Sequence, residues 1–231
     1  MLASIDPWET ALAVCLALAT LVCLFDRHVL RATVAFIALA LFMVLAWAWL
    51  GAPWLALAEL ALGVLLTGAA LFYALGAFHR GLARRALGRK SPHIDTFQGP
   101  VSHRFARGAL TLAWCVMVGA VIRLVVPGMA YAPSEHPLML VAVLMVGTAM
   151  GAFALHRHRL RRLLAFNVLG SGVFLLMIGL AGAHEGAQAL VGVGLFIACV
   201  GTLLGALLIR HLHSHDDEAN QEDIQASGVA R

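Results

Sequence analysis

The sequence predicts an all-α integral membrane protein of about seven transmembrane helices, with its N-terminus outside and its C-terminus cytoplasmic. Three observations predict it. The 231 residues are 61% hydrophobic and only 12% charged, with a mean hydropathy of +0.89, whereas a soluble domain is about 45–50% apolar and about 25% charged. Several uninterrupted apolar runs approach the ~20 residues that a helix needs to cross the hydrocarbon core. The basic residues fall in every second connection between those runs, which is how orientation is written into multi-pass chains. Little sequence remains for a soluble domain.

The expected spans are about 9–25, 32–50, 54–78, 108–126, 137–155, 163–182 and 187–209. No basic residue precedes the first run. A secretory signal begins with a basic segment, so the first run is expected to be a retained span. Arg27 and Arg31 follow it, and Arg80, Arg84, Arg85, Arg89, Lys90, Arg104 and Arg107 follow span three. Arg157, Arg159, Arg161 and Arg162 follow span five, and Arg210 and Arg231 follow span seven. Of the 16 basic residues only Arg123 lies elsewhere, near the end of span four, where a long side chain can snorkel to the interface. The net charge of +4 is therefore read as a topology signal rather than a nucleic-acid footprint.

The loop at about 79–107 divides the chain into a three-span region, 1–80, and a rear three-span region, 131–213. A basic loop plus one linking span, 81–130, lies between them. Residues 214–231 are polar and acidic and are expected to be disordered.

Glu59 is the leading candidate for chemistry. It lies about five residues into span three, roughly 7–9 Å along the helix. An intramembrane carboxyl costs a few kcal/mol unless it is paired, protonated or facing water. Gly63 and Thr67 follow at i+4 and i+8, on the same face of an α-helix, and would line its approach. The structural alternative is a glutamate at interface depth reaching headgroups or capping a neighbour. Pro53 suits a first helical turn, and Trp8, Trp47, Trp49 and Trp54 occupy expected aromatic-belt positions. Asn167 and Ser171, at i and i+4 early in span six, suit hydrogen bonding between helices.

His211 and His215 have helical i,i+4 spacing and, with Asp216 or Asp217, could hold zinc. A solvated basic loop and tail is the favoured reading, and no metal site is expected. Cys15, Cys23, Cys115 and Cys199 sit inside apolar runs without a CxxC pair and read as small apolar filler. No span carries two histidines near its ends, and there is no phosphate loop, GxSxG or HExxH motif. No cofactor and no catalytic residue is expected of the chain by itself.

The stretch from Asp26 onward, DRHVLRATVAFIALALFMVLAWAWLGAPWLALAELALGVLLTGAAL, resembles the D subunit of membrane-bound hydrogenases and its counterparts in Mrp-type multisubunit sodium/proton antiporters. The family pattern is a basic start to one span, then a span opening as Ala-Pro-Asp with an acidic residue in Ala-Leu-Thr-Glu and a glycine soon after. Ala52, Pro53, Ala56, Leu57, Glu59 and Gly63 keep the pattern, while Trp54 and Ala58 replace its Asp and Thr. Those two departures remove polar groups near the mouth of the implied pathway.

The rear stretches, HRHRLRRLLAFNVLGSGVFLLMIGL and AQALVGVGLFIACVGTLLGALLIR, resemble the C subunit of Mrp-type antiporters. They are similar, more remotely, to the K subunit of NADH:quinone oxidoreductase. Gln188, Ala189 and Leu190 match the opening of the antiporter family's third span, with Ala187 in place of proline. The K subunit has a glutamate in each of its second and third spans; this chain has Asn167 in the first place and no carboxylate in the other. Together the resemblances imply a fusion of two small membrane subunits. They imply a non-catalytic subunit of an inner-membrane antiporter, hydrogenase or NADH dehydrogenase-like complex, partnered by large antiporter-like subunits. Glu59, Gly63 and Thr67 would then belong to an ion pathway, and Asn167 and Ser171 to helix packing. The alternative is a self-contained small transporter, which needs a binding site built by this chain alone.

Overall fold

The computed structural model describes residues 6–26, 28–75, 101–125, 137–156 and 158–229. The greater part of the expected basic loop, the connection at 127–135, and Arg27 and Arg157 lie outside the described residues, as do the side chains of His213, His215, Asp216 and Asp217.

The described residues form seven helices: α1 Pro7–Phe25, α2 Val29–Trp49, α3 Pro53–Ala74, α4 Val101–Val125, α5 Pro137–Leu155, α6 Arg159–Ala181 and α7 Glu185–Val229. Six of them, all but α4, are long and apolar enough to cross a membrane, as a multi-pass integral membrane protein requires. In α4 only Ala109–Val121 is comparably apolar. That stretch reaches roughly 20 Å, against about 30 Å of hydrocarbon.

Local sequence explains the helix ends. Asp6 caps α1 by accepting the Trp8 N–H at 3.1 Å, with Pro7 at the first helical position. The Asp26 carboxylate accepts the His28 N–H at 2.8 Å, a tight turn that reverses the chain into α2. At the end of α2, Gly51 adopts φ +74°. The Ala52 N–H then reaches back to the Trp47 carbonyl and the Gly51 N–H to the Ala48 carbonyl, at 2.9 and 3.2 Å. This pair of bonds is a Schellman cap, and Pro53 restarts the helix directly after it. Gly182, at φ +79°, ends α6.

Helices begin earlier than the apolar runs do. α4 takes in Arg104 and Arg107, and α6 starts at Arg159, because backbone hydrogen bonding does not require apolar side chains. For the same reason α7 continues through the polar tail to Val229, where disorder was expected. Extending an existing helix avoids the cost of nucleation.

α6 is central and packs on α1, α2, α5 and α7, while α1 also packs on α2 and α5. α3 is held between α2 and α7, and α4 lies against α5. One apolar core therefore runs through both parts of the chain, from Leu16, Leu39 and Trp47 to Met145, Leu164 and Val191. The front and rear regions interleave rather than stand apart.

Arg31, Arg159, Arg161, Arg162 and Arg210 lie at the end of the bundle opposite the two glycine turns. There Arg162 stacks on Phe153 and Arg210 on Tyr73, 4.7 and 5.2 Å from the ring centroids. Also at that end, the His156 Nε2 lies 3.1 Å from the Leu24 carbonyl, tying the α5–α6 connection to the end of α1.

Candidate functional site

Glu59 is positioned by an irregularity in α3. From Glu59 to Thr67 the backbone is π-helical, bonding i→i+5 and widening the helix, a geometry that recurs at functional sites. Glu59 is the first residue of that stretch and is 2% exposed. Its side chain lies along the helix over Gly63, where a β-carbon would collide with Oε1. Gly63 thus supplies the space that the carboxyl occupies. Oε2 is buried and has no hydrogen-bond partner among the described residues.

The neighbouring donor is the indole of Trp47 on α2, which lies within range of the carboxyl without forming a geometrically sound hydrogen bond. Trp47 was expected in the aromatic belt. The structure corrects this: Trp47 is fully buried inside the bundle, whereas Trp8, Trp49 and Trp54 are 75%, 47% and 76% exposed. The buried stripe of α2 runs Leu39, Met43, Ala46, Trp47, so the helical period carries Trp47 inward despite its place near the helix end. Trp47 is the site residue that the sequence reading missed, and continuing that stripe by i+4 from Met43 would have found it.

Thr67 is buried at the other end of the π-helical stretch and is directed to Cys199 on α7, within hydrogen-bonding range of its thiol. The structure thus brings Glu59 and Gly63 together and turns Thr67 toward a different helix.

In the rear region, Asn167 is buried and joins α6 to α7. Its Oδ1 accepts from the Thr202 hydroxyl at 2.9 Å, and its Nδ2 donates to the Leu163 carbonyl at 2.9 Å. Ser171 is buried one turn further along α6. The Thr202 hydroxyl also has the Ala198 carbonyl at 2.8 Å. One proton cannot fully serve both acceptors, so the hydroxyl is worth about one polar contact, and valine removes it whole while keeping the shape of the side chain. Thr202→Val is therefore expected to lower stability by about 0.6 kcal/mol, the average for polar pairs in membranes, and by less than about 2 kcal/mol. Thermal unfolding of the detergent-solubilised chain measures it.

All four cysteines are free. Among the described residues no group of three or more His, Cys, Asp or Glu is arranged to hold a metal ion.

Residues 14–80 match the family model of the MBH (membrane-bound hydrogenase) D subunit, MbhD. The matched segment takes in most of α1, all of α2 and α3, and with them Trp47, Glu59, Gly63 and Thr67. No curated protein and no solved structure matches the chain.

Proposed function

We propose, from a front segment that matches the D subunit of membrane-bound hydrogenase, that this chain is a non-catalytic membrane subunit of a multisubunit hydrogenase-like or Mrp-antiporter-like complex. In this reading it lies in the inner (plasma) membrane with its N-terminus outside. It associates with other membrane subunits, including large antiporter-like ones, and contributes part of a proton or cation pathway. Glu59 is the protonatable group of that pathway, with Gly63 giving its carboxyl room and Thr67, turned toward Cys199, continuing the route between α3 and α7. Asn167 and Ser171 serve packing in the rear region, which is an antiporter-C-like or K-like unit fused to the front one.

One observation carries the reading. Inside the family-matched segment, a carboxyl is buried in the bundle with one oxygen unpartnered, at the start of a π-helical stretch. A group so placed is expensive to keep in a membrane, and packing alone would be served better by an apolar side chain. Support for the orientation comes from the gathering of arginines at one end of the bundle.

The test is to purify the tagged chain in mild detergent from its native membrane and identify what accompanies it by mass spectrometry. Large antiporter-like subunits in fixed ratio are expected. A well-folded chain that emerges alone, and transports ions in liposomes, would overturn the subunit reading in favour of a self-contained transporter.

Gly63→Ala separates pathway from packing. The atom that its β-carbon would strike is the far end of a flexible side chain, Glu59 Oε1, so the fold can yield by moving the carboxyl. Alanine also favours the helix over glycine by up to about 1 kcal/mol. Unchanged or raised thermal stability is expected, with ion transport by the complex clearly reduced. Full transport would mean that the carboxyl's position over Gly63 is immaterial.

A further inference from the structure

Two orphaned polar atoms lie on adjacent helices. The Trp47 indole nitrogen and Glu59 Oε2 are both buried, and neither has a hydrogen-bond partner among the described residues. Yet Trp47 is the side chain within bonding range of the Glu59 carboxyl. Indole can only donate, and an ionised carboxylate can only accept, so each atom is what the other lacks. α2 and α3 are packed together here and joined by the short turn at Gly51, which keeps the two groups side by side.

The strength of that bond depends on the proton. A donor to a carboxylate makes a charge-assisted hydrogen bond, roughly twice as strong as a neutral one. Protonation turns the carboxyl into a weaker acceptor with a donor of its own to place. α2, which packs against α3, carries one ionisable residue, Arg31, at its opposite end. On α7, Glu185 is exposed at the near end, and Cys199 faces Thr67 further along. Asp6 and Glu9, on α1 where it packs against α2, lie at the solvent-exposed start of that helix.

We propose that Trp47 is the positioning residue of Glu59, donating its indole N–H to the carboxylate when Glu59 is ionised and releasing it when the carboxyl takes up a proton. Each protonation event at Glu59 then makes or breaks a contact between α2 and α3, so proton occupancy is felt by a helix that also packs on α1 and α6. The proposal rests on Glu59 being the titrating group of the proposed pathway.

The test uses the full chain in lipid nanodiscs, labelled with ¹⁵N in the tryptophan indoles and ¹³C in the glutamate carboxyls. The Trp47 indole signal is the one missing from Trp47→Phe, and the Glu59 carboxyl signal is the one missing from Glu59→Gln. With rising pH, the Trp47 N–H resonance is expected to shift in the direction of stronger hydrogen bonding, in step with ionisation of Glu59. In Glu59→Gln that shift should be lost and the Trp47 signal should be independent of pH. A Glu59 carboxyl that titrates while the Trp47 signal stays fixed, whether bonded or free throughout, overturns the coupling and leaves the pathway reading intact. A Glu59 carboxyl that does not titrate at all overturns both. Phenylalanine retains the packing body of the ring, and Glu59→Gln tests the same coupling without touching Trp47, so a misfolded Trp47→Phe would not decide the outcome.

Discussion

Glu59→Gln is expected to reduce ion translocation by the assembled complex to the background of membranes lacking the chain, without loss of the protein itself. Glutamine has the shape of glutamate and can rest over Gly63 as the carboxyl does, so the packing between α2 and α3 is kept. What it cannot do is release or take up a proton. Stability should hold or improve, because an intramembrane carboxyl is costly in its charged form and a neutral amide has no charged form. The measurement is proton- or sodium-dependent flux in membrane vesicles, alongside immunodetection of the chain in the complex. Glu59→Asp serves as the companion variant, with partial activity expected: the carboxyl is retained but drawn back from Gly63 by one methylene. Full flux with glutamine would remove Glu59 from the pathway and leave it a packing residue.

Gly147→Val is expected to loosen the bundle where α4 crosses α5. α4 meets the bundle through α5, where Gly147 and Gly151 lie one turn apart. A β-carbon on Gly147 would come 2.7 Å from the Cys115 Cα and 2.9 Å from its backbone nitrogen; one on Gly151 would lie 2.9 Å from the Thr111 Oγ1. The obstacle at Gly147 is main chain, which cannot rotate aside as a side chain does, so the two helices must separate. Overpacking of this kind costs about 1–3 kcal/mol. A lower unfolding temperature and faster labelling of Cys115 by a membrane-permeant maleimide are expected. Gly119→Ala, whose β-carbon would be 3.9 Å from the nearest atom of Val143, should change neither. Unaltered stability and Cys115 labelling in Gly147→Val would mean that α4 is not held at this crossing.

The glycine pair illustrates what a membrane sequence hides. Gly147-x-x-x-Gly151 is a recognised close-packing spacing and can be read directly from the chain. Its partner cannot, because nothing in the sequence says that Cys115 and Thr111 of α4, rather than another helix, lie over it. Thr67 is similar. By α-helical counting it shares a face with Glu59, but the π-helical stretch between them changes the register and Thr67 faces Cys199.

Hydropathy in the sequence was enough for the class of the protein and the places of six long apolar helices, and local capping chemistry for the turns at Asp6, Asp26 and Gly51, but not for the starts of α4 and α6 or the end of α7. The sequence also determined the pairing of Glu59 with Gly63, because the two are neighbours four residues apart. Which face of each helix turns inward emerges only in the assembled bundle. Tertiary packing buried Trp47 beside Glu59, set α3 against α2 and α7, and interleaved the front and rear regions in one core. The physical reason is the solvent. In water, a helix marks its inner face by a contrast between apolar and polar sides. Lipid is as apolar as the protein interior, so these helices are apolar all round, and their packing is decided by shape, small residues and a few polar atoms that show their partners only once the bundle has formed.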